Sequence, residues 1–301
     1  MLLTKRMVKM QLATDILRFL FFPGLLFMVF CGYLVLLLEG RLRVALYGGG
    51  GTRLRALAGA GAEMDTSSPG ELAAVVLSLA GMGVAGILLV GVKGDLFALL
   101  LLFSAVEILP LFLAAAVGAE EALRAPLLFR TAFFRLAALA CVMLSISLRF
   151  PAVFSPGLET FRGEGAFNAV QLWSGVDFAL ILASLVCAAI AFFVFLLGHS
   201  ACGVRYEAGE TGQLKGFYCL AAEGSQRAVS LLFFAILFLG YPWEGGMGML
   251  LWSAAALGTA VFFTVVRAWL DGCDRVFLRK LQGAAPLFAL LSLALAIAAV
   301  V

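Results

Sequence analysis

Of the 301 residues, 63% are hydrophobic and 13% charged, with a net charge of +3 and a mean hydropathy of +1.09. Soluble domains run at about half apolar and about a quarter charged, so this composition excludes a soluble enzyme, a disordered chain and a nucleic-acid binder. It fits an all-α polytopic membrane protein, one transmembrane domain over 1–301 with about eight helices.

The chain opens with Lys5, Arg6 and Lys9, followed by an apolar run over 16–38 that stops at Glu39 and Arg41. The run is long enough to span and lacks a signal peptide's short apolar core and small-residue cleavage site, so it reads as a retained membrane helix. Further spans are expected over 71–92, 95–117, 126–148, 171–197, 228–241, 247–268 and 284–301, the sixth starting somewhat before its apolar run. No strand-like alternation competes, and a lipid environment admits only helices or closed barrels.

Polar residues gather in 39–70, 198–227 and 267–283. With eight spans these segments share one side, and their arginines and lysines place them in the cytoplasm of a cell with the chain in its inner membrane. The opposite loops carry only Lys93, Arg149 and Arg162 as cations. Both termini then face outward, and the basic N-terminal residues are expected to lie on the outer leaflet as an amphipathic helix.

An ionisable group within a membrane helix is costly and marks a functional candidate. Glu107 sits mid-span, three residues before Pro110, and Arg135 occupies the next span. Counted from the short turn between the two helices at about 1.5 Å per residue, both reach a similar depth. The residues allow two readings. Either the pair only fixes packing, or Glu107 exchanges protons while Arg135 tunes its affinity. Asp177 lies near the end of the fifth span, where snorkelling explains it. Glu39, Arg41 and Arg43 close the first helix, and the two arginines there suit the helix dipole and lipid phosphate. An i,i+4 contact between Glu39 and Arg43 accounts locally for the acid. Glu207, Glu210 and Glu223 cluster at the mouth of two helices and can hold or pass protons, or be an ordinary solvated loop.

Other chemistry finds little support. The six cysteines form no C-x-x-C pair, and His199 with Cys202 and Cys219 lacks the fourth ligand and spacing of a zinc site. Gly48–Gly51 is not followed by a Lys-Ser or Lys-Thr ending, so it is no phosphate loop. A single histidine disfavours both a Ser-His-Asp site and bis-histidine haem ligation. No redox cofactor or metal is expected in this chain.

The stretch Y-L-V-L-L-L-E-G-R-L-R at Tyr33–Arg43 resembles the Glu-Arg motif that ends the first helix of one family, the complex I membrane subunit that joins the hydrophilic and membrane arms. A-E-G-S-Q-R at Ala222–Arg227, preceded by Y-E-A-G-E at Tyr206–Glu210, is similar to that family's acidic loop and helix opening. L-G-Y-P-W-E-G at Leu239–Gly245 looks like the F-F-P-W-G of relatives in membrane-bound hydrogenases and formate hydrogenlyase. The family's R-x-P-F-D signature is missing before Glu207, and the tetraglycine region replaces its Gln-x-Arg-x-Gly-Pro-Asn stretch. Both departures favour a hydrogenase-type relative over a quinone reductase.

The resemblance implies a non-catalytic, energy-coupling subunit of an ion-translocating oxidoreductase. Hydrophilic partners on the cytoplasmic side would carry iron–sulfur or nickel–iron cofactors, and antiporter-like membrane subunits would adjoin it. Glu39, Arg41, Arg43 and Arg227 would serve docking. Glu107, Arg135, Glu207, Glu210 and Glu223 would serve proton or sodium coupling. The alternative is a stand-alone secondary transporter with Glu107 and Arg135 as its midplane site.

Overall fold

The computed structural model describes residues 24–47, 69–90, 96–117, 119–148, 178–197, 213–240, 246–270 and 275–300, with scattered positions in 11–21. Among these residues the protein is all-α, with eight helices: α1 (Leu25–Tyr47), α2 (Pro69–Val90), α3 (Leu96–Val117), α4 (Ala119–Ser147), α5 (Phe178–Leu197), α6 (Gln213–Leu239), α7 (Gly246–Leu270) and α8 (Arg275–Val300). Three carry stretches long and apolar enough to cross a membrane, at Leu25–Leu42, Phe178–Leu196 and Gly246–Arg267. The architecture is that of a multi-pass membrane protein.

Helix bounds depart from the apolar runs wherever charge interrupts a helix. α1 runs on through Glu39, Arg41 and Arg43 to Tyr47, so these residues lie within the helix rather than at its end. α4 starts at Ala119, seven residues before Pro126. Proline lacks one amide donor, yet its fixed φ suits a helix. α6 begins at Gln213, and Glu223 and Arg227 belong to it rather than to a preceding loop. α8 begins at Arg275, whose polar first turns conceal the helix from a hydropathy window.

The helices pack as two groups, α4, α5 and α8 in one and α1, α2, α6 and α7 in the other, which meet through α3 and where α5 touches α6. α8 lies against α5 and α4, while α1 and α2 lie against α6, and α3 bridges α2 and α4. Lipid offers no hydrophobic drive between apolar helices, so small side chains and polar contacts decide such packing. At the α4–α5–α8 junction three serines do this. Ser292 Oγ donates to Ser145 Oγ at 2.9 Å, and Ser184 Oγ donates to the Ser292 carbonyl at 2.6 Å.

At the α1–α6 crossing Gly32 and Gly224 bring backbone against backbone. A Cβ at Gly32 would overlap the Gly224 carbonyl carbon, and one at Gly224 would stand 2.9 Å from that of Gly32. A phenylalanine cluster fills the centre: Phe103 stacks on Phe233 at 5.7 Å, and Phe192 meets Phe233, Phe234 and Phe238 edge-on. α6 is closed by Gly240, whose φ is 82° and whose backbone N–H donates a hydrogen bond to the Ile236 carbonyl at 2.9 Å. Trp252 Nε1 of α7 donates to the Gly240 carbonyl at 2.7 Å and ties the two helices together.

Gly32→Ala is expected to destabilise the detergent-solubilised protein by about 1–3 kcal/mol through overpacking. Gly258→Ala, where nothing lies within 4 Å of the added carbon, should hold or raise the thermal midpoint. A shift of the same sign and size in both variants would refute the close crossing.

Candidate functional site: two buried charge clusters

The first cluster joins α3 and α4. Arg135 Nη2 donates to Glu107 Oε1 at 2.8 Å. The glutamate side chain is 6% exposed and the arginine 18%. The pair forms because the two helices run antiparallel, a register also fixed by the Phe112–Phe129 edge contact. The Arg135 guanidinium also stands over the Phe195 ring of α5, 5.4 Å from its centroid. The cation is therefore shared between a carboxylate and an aromatic face.

The second cluster joins α1, α6 and α7. Glu39 Oε2 accepts from Arg227 Nη1, and Glu39 Oε1 faces Arg267 Nε at 3.5 Å. Arg267 Nη1 also donates to the Leu196 carbonyl at the end of α5, at 3.4 Å. Glu39 and Arg227 are deeply buried, whereas Arg267 reaches the mouth of a cleft. That cleft is small, with room for about 30 Å³ of water-sized space, and Val35, Leu196, Leu231, Phe263 and Thr264 form its other walls. One carboxylate thus meets two guanidinium groups in an apolar setting. Such a charge stays buried only when paired and hydrogen-bonded.

The expected site residues fall into three groups. Glu107 and Arg135 are brought together, and so are Glu39 and Arg227. Arg41 is exposed on α1. Glu223 lies on α6 and Arg43 on α1, with side chains outside the described residues, as are Glu207, Glu210, Asp177, His199 and Cys202 altogether. The expected contact of Glu39 with Arg43 along its own helix falls on a side chain outside the described residues; the described partners of Glu39 are Arg227 and Arg267 from two other helices. Arg267 was read only as part of a polar segment. The available signal was its place in the last turn of an otherwise apolar helix. Among the described residues no group of three His, Cys, Asp or Glu side chains could hold a metal ion.

Searches against protein-family models and against curated proteins find no match to this chain. The functional reading therefore rests on the residues themselves.

Replacing Glu39 by Gln should cost about 3–5 kcal/mol by leaving Arg227 buried without its counter-ion, and Arg227→Gln should cost less, because Glu39 keeps Arg267. The double variant should cost clearly less than the sum. Thermal unfolding in one detergent measures all three, and strict additivity would show that the pair is not coupled.

Proposed function

We propose that this chain is a multi-pass inner-membrane protein that moves a proton or another small cation across the bilayer, as a secondary transporter built around Glu107 and Arg135. The observation that carries this reading is a nearly enclosed carboxylate inside an apolar helix, held by a single arginine of the neighbouring helix. Intramembrane ionisable pairs of this kind are costly and belong to ion pathways more often than to scaffolding. In this reading all eight helices span. The shortest, α5, has 20 residues, and about 30 Å of helix matches the hydrocarbon core.

The chemistry follows from the pair. A proton that reaches Glu107 neutralises the carboxylate and weakens its hold on Arg135. The guanidinium then has the Phe195 face as its remaining described partner. Loss of the proton restores the ion pair. The two arrangements differ in which helix Arg135 is tied to, α3 or α5, and such a change can alternate the side from which Glu107 is reached.

A second reading is favoured by a separate observation. Glu39 and Arg227 belong to two of the stretches that carry the resemblance to the complex I membrane subunit, and they meet as a buried ion pair beside the Gly32–Gly224 crossing. On this reading the chain is a non-catalytic coupling subunit of a membrane-bound, hydrogenase-type oxidoreductase. Soluble iron–sulfur or nickel–iron partners would dock on the face that bears Arg41, and antiporter-like subunits would lie in the membrane plane. Charge changes in the soluble arm would act through Glu39, Arg227 and the Glu207–Glu223 region on Glu107.

One experiment separates the readings. The purified chain is reconstituted alone in liposomes with a pH-sensitive dye inside, and the same preparation is analysed for co-purifying proteins, iron and nickel. Transport by the chain alone, slowed at least about tenfold in Glu107→Gln and partly retained in Glu107→Asp, supports the transporter. An inert chain that co-purifies with iron–sulfur proteins overturns it in favour of the coupling subunit.

A further inference from the structure

Three buried oxygens of neutral side chains find no hydrogen-bond partner among the described residues: Ser78 Oγ on α2, and Gln226 Oε1 and Ser230 Oγ on α6. All three residues are at most 1% exposed. Their situation differs from that of other helical hydroxyls in this protein. Ser104, Ser147, Ser225, Thr259 and Thr264 each donate to the carbonyl four residues earlier. Leaving such an oxygen dry and unbonded is costly, so three on two helices that pack together call for a common occupant.

The helix directions place them along one stretch of the interior beside Glu107. α3 and α4 run antiparallel, since Glu107 meets Arg135 while Phe112 meets Phe129. α4 and α5 do likewise, since Arg135 meets Phe195 while Ser145 and Ser184 share Ser292. α3 and α5 are therefore parallel. α5 and α7 are parallel through Phe193–Phe263 and Leu196–Arg267. α7 is antiparallel to α6 through Phe234–Phe263 and Trp252–Gly240. It follows that α3 and α6 are antiparallel, with the stacked Phe103 and Phe233 as their common reference.

From that reference Glu107 lies about 6 Å along α3, on the face of Phe103. Ser230 and Gln226 lie about 4.5 and about 10.5 Å in the same direction along α6, on the face of Phe233. On α2, Gly81 packs against Val106, the neighbour of Glu107. Ser78 stands three residues before Gly81, on the same face and near the same depth. Next to Gln226 in the chain is Arg227, which pairs with Glu39 in the cleft. One side of α6 thus carries a polar strip from the Glu107 level to the second charge cluster.

Charge decides between a cation and water as the occupant. Glu107 is already paired with Arg135, so a bare cation among three neutral oxygens would stand uncompensated in a medium of low dielectric. Water both donates and accepts, and a buried water typically makes about three hydrogen bonds to groups of this kind. We infer that Ser78, Gln226 and Ser230 hold a buried water cluster beside Glu107, and that this cluster relays protons along α6 between Glu107 and the Glu39–Arg227–Arg267 cleft. In each step a water accepts one proton and passes another to its neighbour, and the last hands it to the Glu107 carboxylate, with no change of redox state. The relay rests on the transport reading above; the water cluster does not.

The test uses radiolytic hydroxyl labelling of the full chain in nanodiscs with isotopically labelled water, alongside the liposome assay. Phe103, Phe233 and Phe238 are all 0% exposed, and only the first two adjoin the inferred water. Phe103 and Phe233 should take up label above the level of Phe238, and Ser230→Ala or Gln226→Leu should reduce that label. The same variants should slow proton uptake about tenfold while keeping the thermal midpoint close to that of the parent chain. Rings labelled no more than Phe238, together with a raised midpoint in Gln226→Leu, would overturn the water cluster. Labelled rings in a chain that moves no protons would overturn the transport reading and the relay while leaving the cluster in place. Absent label with normal uptake would overturn the cluster and the relay while leaving the transport reading in place.

Discussion

A charge in an apolar medium has to meet its opposite, and this constraint organises the protein. Glu39 and Glu107 are acids enclosed by helices rich in leucine, phenylalanine and alanine. Each meets arginine from a different helix, so each pair fixes a relation between helices as well as a charge balance. Glu107 and Arg135 set the register of α3 against α4. Glu39, Arg227 and Arg267 draw α1, α6 and α7 to one point. Arginine suits this role because its planar fork can serve a carboxylate, a carbonyl and an aromatic face at once, as Arg135 and Arg267 do here.

The remaining packing obeys a related rule. Apolar side chains gain little by leaving lipid for one another, so close approach and hydrogen bonds between helices decide which faces meet. Gly32 and Gly224 supply the close approach, and Ser145, Ser184 and Ser292 supply the hydrogen bonds. The phenylalanines around Phe192 fill the space between these fixed points. Most other helical hydroxyls are satisfied by their own helix, whereas Ser78, Gln226 and Ser230 keep buried oxygens without a partner among the described residues. That division is what connects packing to the proposed path.

Much of the fold was legible because hydropathy reports solvent. Helices such as α2, α3 and α7 differ from their apolar runs by only a few residues. Legibility failed where a helix carries charge. α6 extends 15 residues before its apolar run because Lys215, Glu223 and Arg227 lower the mean without breaking the helix. The Glu107–Arg135 contact was legible from depth counted along two helices joined by a short turn. The Glu39 cluster was not, since its members lie 188 residues apart in one pair and come from helices without a short connection.

The sequence alone determined that this chain is a helical membrane protein and which of its residues carry charge into the apolar interior. Both follow from composition and from periods of a few residues, which local physics reads directly. Tertiary structure alone decided the partners: that Glu39 turns to α6 and α7, that Phe103 stacks on Phe233, and that Ser78, Gln226 and Ser230 are buried without a partner among the described residues. These depend on crossing points such as Gly32 on Gly224. A crossing is set by the mutual fit of whole helix faces, and no single segment of sequence contains it.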